Sequence, residues 1–302
     1  MTQVQIDGVE IRDSFAEAFA MRATRIIVTA ADRNWLEAAA RTATGFATSV
    51  IACGVEAGIE RFLDPTATPD GRPGVALLFF ATSRRVLESQ LVTRVGQCIL
   101  TCPTTACYAG IDGDERLPLG KSLRFFGDGH QISKRLGRRR FWRIPVMEGE
   151  FVCEHDTGLS SGIGGGNFLI LATDPQAARR AAERAVRAIH GLAGVILPFP
   201  GGVVRSGSKV GAKYRKLPAS TNHVYCPTLR GRVEGSAVPP TVGSVLEIVI
   251  DGLDAPAIAA AMRAGILAAC EQGRKRGVIA NDAGNYGGNL GSYHFHLHRV
   301  LA

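Results

Sequence analysis

The sequence predicts an α+β protein of two lobes, each an antiparallel sheet with its helices on one face. Three observations carry that expectation. β-rich runs alternate with helical stripes along the whole chain, the helices open on Asp or Ser caps, and 302 residues suffice for two domains. RIIVTAA (25–31) reads as the first strand. Asp32 then caps a helix with Trp35, Leu36, Ala39 and Ala40 on its stripe, which closes near Gly45. FATSVIAC (46–53) reads as the next strand, and VALLFFA (75–81) is apolar enough to be a buried one. Ser83 opens a second helix carrying Leu87, Leu91, Val95, Cys98 and Cys102 at helical spacing, with Pro103 just beyond. NFLILAT (167–173) leads into the cap Asp174 and into Pro175 at the first helical position. Ala178, Ala182, Ala185 and Ile189 then line one face, and Gly191 ends the helix. VLEIVID (245–251) leads into Asp254, a helix lined by Ile258, Met262, Ile266 and Cys270, and a stop at Gly273. Strand material follows at 278–281 and 290–298. Two strand–helix units per half is the pattern of a split βαβ, ferredoxin-like sheet. The lobes fall at residues 1–147, with a glycine-rich, charged connecting region inserted at about 104–140, and at 148–302.

Composition narrows the class. Hydrophobic residues make up 46% and charged residues 21%, as in a soluble globular chain. The formal net charge of +8 suits an anionic partner without choosing among nucleic acid, acidic small molecules and protein. The start of the chain does not read as a signal peptide, and no apolar run reaches membrane-spanning length. The seven cysteines, an odd number without C-x-x-C spacing, read as reduced thiols of a cytoplasmic protein.

Several segments invite chemistry. GGVVRSGSKVGAKYRK (201–216) has a phosphate-loop flavour, but Lys209 comes one place late after Gly207 and no hydroxyl residue follows it, so a nucleotide triphosphatase is rejected. What remains is a flexible basic loop suited to an extended anion, or simply a solvated one. SSGIGGGNF (160–168) lacks the dinucleotide fingerprint, and NDAGNYGGN (281–289) reads as a hairpin connection. His294, His296 and His298 alternate onto one strand face, where two such imidazoles could bind zinc, but a third ligand partner is not evident. KRLGRRRFWR (134–143) is strongly basic, yet the aromatic strand motif of an RNA-binding sheet is missing, so it reads as a solvated face or a protein contact. Glu247 stands inside VLEIVI, with Val245 and Val249 on its own strand face. A buried carboxylate there must be paired or have its pKa raised, whereas an edge strand would leave it in water. A raised pKa would make it a proton carrier near neutrality.

In chain order, DSFAEAFAMRATRIIVTA (13–30), ATGFATSVIACGVEAGIE (43–60), TPDGRPGV (68–75), RVGQC (94–98), FFGDG (125–129), IPVMEGEF (144–151), GGNF (165–168), PFPGGVV (198–204), SKVGAKY (208–214), LPASTNHVYCPT (217–228), EIVIDGL (247–253) and HLH (296–298) make a specific string. Taken together they resemble the formylmethanofuran:tetrahydromethanopterin formyltransferase family. The resemblance implies two ferredoxin-like lobes, a homotetramer, and a cleft formed partly between subunits. It implies transfer of a formyl group between N5 of tetrahydromethanopterin and the primary amine of methanofuran, or analogues of both, with these carriers as substrates and no metal or prosthetic group. Lys209 and Lys213 suit the carriers' acidic tails. Ser206, Ser208, Thr221 and Asn222 either contact a carrier or hold the loop, and Gly165 and Asn167 are candidate oxyanion donors. The basic stretch 131–141, acidic in methanogen members, points to the methylotrophic bacterial branch and to the formyltransferase subunit of a formyltransferase/hydrolase complex. There formyl would flow from pterin to furan, and companion subunits would dock on the basic 134–143 face. A catalytically silent scaffold subunit is the competing reading. Neither nucleic acid nor membrane is expected as a partner.

Overall fold

The structure, a computed structural model, describes residues 4–271 and 273–302. Its contacts group residues 21–162 into one compact unit and residues 1–20 with 163–302 into the other. The boundaries fall inside two long strands, Phe15–Thr29 and Ser160–Ala172.

In the unit 21–162 the sheet order is Glu56–Leu63, Gly74–Ala81, the second part of Phe15–Thr29, Ala106–Ala109, Gly149–Glu154, Arg139–Val146 and Ile132–Leu136. Helix Arg33–Thr44 begins where Asp32 accepts hydrogen bonds from the Asn34 and Trp35 amides, a cap worth about 1 kcal/mol. Ser83 caps Arg84–Arg94 in the same way, and a π-helical turn, Val95–Ile99, extends it. Leu36, Ala40, Leu87 and Leu91 share a core with Leu77 and Phe79 of the central strand. Two expectations are corrected here. FATSVIAC is not a strand. Ser49 accepts the Ile51 amide and starts a short helix, Val50–Cys53, left-handed Gly54 ends it, and the strand is the next run, Glu56–Leu63. Nor is 104–140 simply a connecting region, because Ala106–Ala109 lies within the sheet, with Val28 opposite Cys107 on one side and Cys153 opposite Cys107 on the other.

In the other unit the order is Val4–Ile6, Val9–Ile11, Val278–Asp282, Ser160–Ala172, Ser244–Gly252 and Val195–Ile196. Strand Tyr293–His296 pairs separately with the first residues of Phe15–Thr29. Period-two alternation sorts the central strands onto two faces. Phe168, Ile170, Ile248 and Ile250 meet the helices Pro175–Ile189 and Ala255–Cys270 through Ala181, Ala182, Ile258 and Met262. Leu169 and Leu171 face the other way, onto Val238 and Val242 of the long irregular segment that follows residue 203. Helices thus cover one face and the irregular segment the other.

The expectation of purely antiparallel sheets is also corrected. Val9–Ile11 runs parallel to Val278–Asp282, and Ala106–Ala109 runs parallel to Gly149–Glu154, so the strand pairing is mixed within each unit. The terminal strand material at 290–298 is Tyr293–His296, followed by a short helix, Leu297–Leu301.

Candidate functional site

Glu247 lies on the sheet face away from the helices. It pairs across the sheet with Leu169, which in turn lies opposite Asp282 on the next strand. On its other side the Val204 amide donates to the Glu247 carbonyl at 2.8 Å, and the Glu247 amide donates back to the Val204 carbonyl at 3.0 Å. A strand paired on both sides has no wet edge, and the residue is only 2% exposed. The choice left open by the sequence is therefore settled in favour of burial.

The carboxylate is held by one residue of the basic loop. The Ser208 amide donates to Oε2 at 2.7 Å and the Ser208 hydroxyl to Oε1 at 2.6 Å. Burial pushes the Glu247 pKa up from 4.5 to about 7, and the two Ser208 bonds restrain the rise. An acid that titrates near neutrality both accepts and returns a proton there.

Other predicted residues build the loop around it. The Thr221 hydroxyl and the Asn222 amide both donate to the Ser206 carbonyl at 2.9 Å. Gly207 has φ +72°, and a Cβ there would lie 2.5 Å from the Asn222 Cβ, so the loop crosses itself where only glycine fits. The Lys209 ammonium donates to His223 Nδ1 at 3.0 Å, and strand Lys209–Val210 pairs with Ala219–Ser220. Lys213 is exposed on the turn beyond. Arg205, Ser206, Asn222, Tyr225 and Cys226 line a small cavity with Glu247 in its wall.

Gly165 and Asn167 are structural in this geometry. The Gly165 amide donates to Asp251 Oδ1 at 3.1 Å. Asn167 Nδ2 donates to the Gly165 and Gly284 carbonyls at 3.1 Å each, while its Oδ1 accepts the Gly284 amide at 2.6 Å. Donors already engaged in this way do not point at an incoming oxyanion.

Residues that the sequence reading passed over surround the same place. The Tyr225 hydroxyl donates to Asp282 Oδ2 at 2.9 Å, and Arg12 Nη1 reaches the same oxygen at 2.7 Å. Burial, with the nearby Asp282 carboxylate, raises the Tyr225 pKa and keeps the phenol neutral. The Tyr286 hydroxyl donates to the Ser208 carbonyl at 2.6 Å. Tyr286 sits in the glycine-rich stretch 281–289, which is not a hairpin: its flanking strands pair with other partners. His294 and His296 pack on Phe15, and His298 Nε2 lies 2.9 Å from the Ile11 carbonyl. Among the described residues no group of three or more His, Cys, Asp or Glu is placed to hold a metal ion. No helix among them is long and apolar enough to cross a membrane.

Comparison with known proteins adds the family context. A model described as formylmethanofuran-tetrahydromethanopterin formyltransferase matches residues 4–146, and one described as its proximal lobe matches 149–300. The chain is 59% identical over 297 residues to the formylmethanofuran–tetrahydromethanopterin formyltransferase of Methylococcus capsulatus, covering 98% of this chain and 99% of that one. It is 53% identical to a subunit of the formyltransferase/hydrolase complex of Methylorubrum extorquens, covering 100% and 98%. The structure of the Methylorubrum extorquens complex, solved with methylofuran, contains a chain that superposes with a TM-score of 0.96 at 52% identity, covering 100% of this chain and 99% of that chain. The Methanosarcina barkeri formyltransferase superposes at 0.92 with 47% identity, covering 98% and 100%. With two models together spanning nearly its whole length and relatives this similar from end to end, the chain belongs to the formylmethanofuran–tetrahydromethanopterin formyltransferase family.

Proposed function

We propose that the chain is a formyltransferase that moves a formyl group between N5 of tetrahydromethanopterin and the primary amine of methanofuran, or close analogues of both. The observation that carries the reading is the buried Glu247 carboxyl, poised to titrate near pH 7 in the wall of a cavity on the irregular face of the sheet. Transfer has the same atom balance in either direction. The incoming nitrogen forms a C–N bond to the formyl carbon, the carbonyl oxygen takes up negative charge, and the other C–N bond then breaks. One proton leaves the attacking nitrogen and one is gained by the departing nitrogen. Glu247 receives the first and supplies the second, and the attacking amine makes a side-chain nucleophile unnecessary. The side chain of Asn222 in the cavity wall is the donor we assign to the oxyanion.

Lys209 supplies positive charge beside this cavity for an anionic carrier tail. Lys209→Ala is expected to raise the KM for that carrier several-fold at low salt, with kcat little changed, and the penalty should shrink at high ionic strength. Initial rates across a salt series measure this. A defect independent of salt would mean that the lysine serves packing through His223 instead.

The enzyme is further proposed to work in the cytoplasm as a homotetramer of two ferredoxin-like lobes, 1–147 and 148–302. The ends of the two family models, at 146 and 149, support that boundary along the sequence, whereas the contacts place the compact units at 21–162 and at 1–20 with 163–302. Companion hydrolase subunits are proposed to dock on the basic hairpin. Strand Ile132–Leu136 is exposed throughout and pairs along one side with Arg139–Val146, and Arg135, Arg138 and Arg140 line a cavity at its turn. Association of the purified chain with those subunits should weaken steeply between low and high salt and be lost in Arg135→Glu/Arg138→Glu. Binding indifferent to both would remove the hairpin from the interface. The assay that decides the function mixes the chain with formyl-tetrahydromethanopterin and a furan amine and follows the pterin spectrum. A folded chain that binds its companions yet transfers nothing would be a scaffold subunit.

A further inference from the structure

Glu17 is a second acid inside an apolar strand, and it is 1% exposed. Its partners are not side-chain cations but backbone amides from the far end of the chain. Oε2 accepts from Tyr286 at 2.7 Å and Gly288 at 2.9 Å, and Oε1 accepts from Leu290 at 2.5 Å and Gly291 at 2.6 Å. Four N–H groups thus converge on one carboxylate. Burial alone would raise its pKa, but these four bonds outweigh burial and hold it below the usual value, so Glu17 stays ionised. The loop is pinned at its other end by the Asn167 amide on Gly284. What the pinned loop presents is the Tyr286 hydroxyl, aimed at the Ser208 carbonyl, and Ser208 in turn holds both oxygens of Glu247.

We propose that Glu17 is a positioning residue for the transfer reaction, acting through Tyr286 and Ser208 to set the donors on the Glu247 carboxyl. The proposal rests on the reading of Glu247 as the proton carrier. The groups around Glu247 are few and can be named. Tyr225 and Tyr286 face it, Arg205 and Cys226 line its cavity, Asp282 and Arg12 stand behind Tyr225, and Lys209, next in the chain after Ser208, pairs with His223. His294 lies opposite Glu17 across the strand pair. Tyr286→Phe removes a neutral hydroxyl whose hydrogen bond goes to the Ser208 carbonyl and leaves all the other groups in place.

The test measures the Glu247 titration directly, as the carboxyl band in infrared difference spectra that disappears in Glu247→Gln, alongside the pH profile of kcat. In Tyr286→Phe a loosened Ser208 stabilises the ionised carboxyl less. The midpoint and the matching limb of the profile should move up by about one pH unit, with KM for both carriers nearly unchanged. Glu17→Gln turns an NH₂ group toward two amide donors. It should move the midpoint in the same direction and speed hydrogen exchange at 286–291. Unmoved midpoints in Tyr286→Phe, or faster exchange in Glu17→Gln with the Glu247 midpoint unchanged, would overturn the relay. The two readings separate cleanly. Full turnover in Glu247→Gln would defeat the functional reading, while the infrared midpoint still tests the positioning chain.

Discussion

Glu247→Gln is expected to lower turnover by about 10²–10⁴-fold with both carriers saturating, the range that a positioned proton carrier contributes. Near pH 4.5 and below, where the carboxyl is neutral, unfolding stability should change by only about 1 kcal/mol, the net worth of an ordinary hydrogen bond. The contrast follows from the geometry. The amide fills the same volume between Leu169 and Val204, and its oxygen still accepts the Ser208 amide. The Ser208 hydroxyl, a donor to the carboxylate, turns and accepts from the new NH₂ group instead. What is lost is titration. Steady-state rates and thermal unfolding of the two proteins measure the two halves of the prediction. A variant that keeps the wild-type rate would show that Glu247 is a buried structural acid.

Much of the frame was legible because its signals are local. Asp32, Ser83, Asp174 and Asp254 accept amides two or three residues downstream, so cap and helix are read from the same few letters. Glu247 was legible for a different reason. An acid in an unbroken apolar strand leaves few alternatives, and pairing on both sides of Ser244–Gly252 decides among them. The strand mistaken at 46–53 failed because Ser49 and Gly54 compete locally for a helical turn, which composition does not reveal. The role of Glu17 was out of reach, since its donors lie about 270 residues away and are backbone groups that carry no residue-type signature. The same acid-among-apolars signal that marked Glu247 was nevertheless present in FAEAFAMR, and Tyr286 followed in a glycine cluster read as a turn. The reading of Gly165 and Asn167 as oxyanion donors treated them as free. Only the three-dimensional accounting shows their amides committed to Asp251, Gly165 and Gly284.

The raised pKa of Glu247 also makes a prediction about stability, with a sign opposite to that of most carboxylates. In the unfolded chain the group titrates near its ordinary 4.5, and in the folded protein at about 7. Between those values the folded state binds the extra proton, so ΔG of unfolding falls as pH rises through the window. The stabilising contribution is complete below about pH 4.5 and is lost as pH passes about 7, where the buried group must ionise. At 1.36 kcal/mol per pH unit, the full loss is about 3 kcal/mol. Carboxylates whose lowered pKa values give the usual opposite slope, such as Glu17 and Asp70, act at lower pH. The difference between wild type and Glu247→Gln cancels them. Denaturant unfolding of both proteins at pH 5 and pH 8 should therefore show the variant gaining about 3 kcal/mol relative to wild type on going to the higher pH. Parallel curves would mean that the carboxylate is solvated or paired well enough to ionise normally, and the proton-carrier role would lose its physical basis.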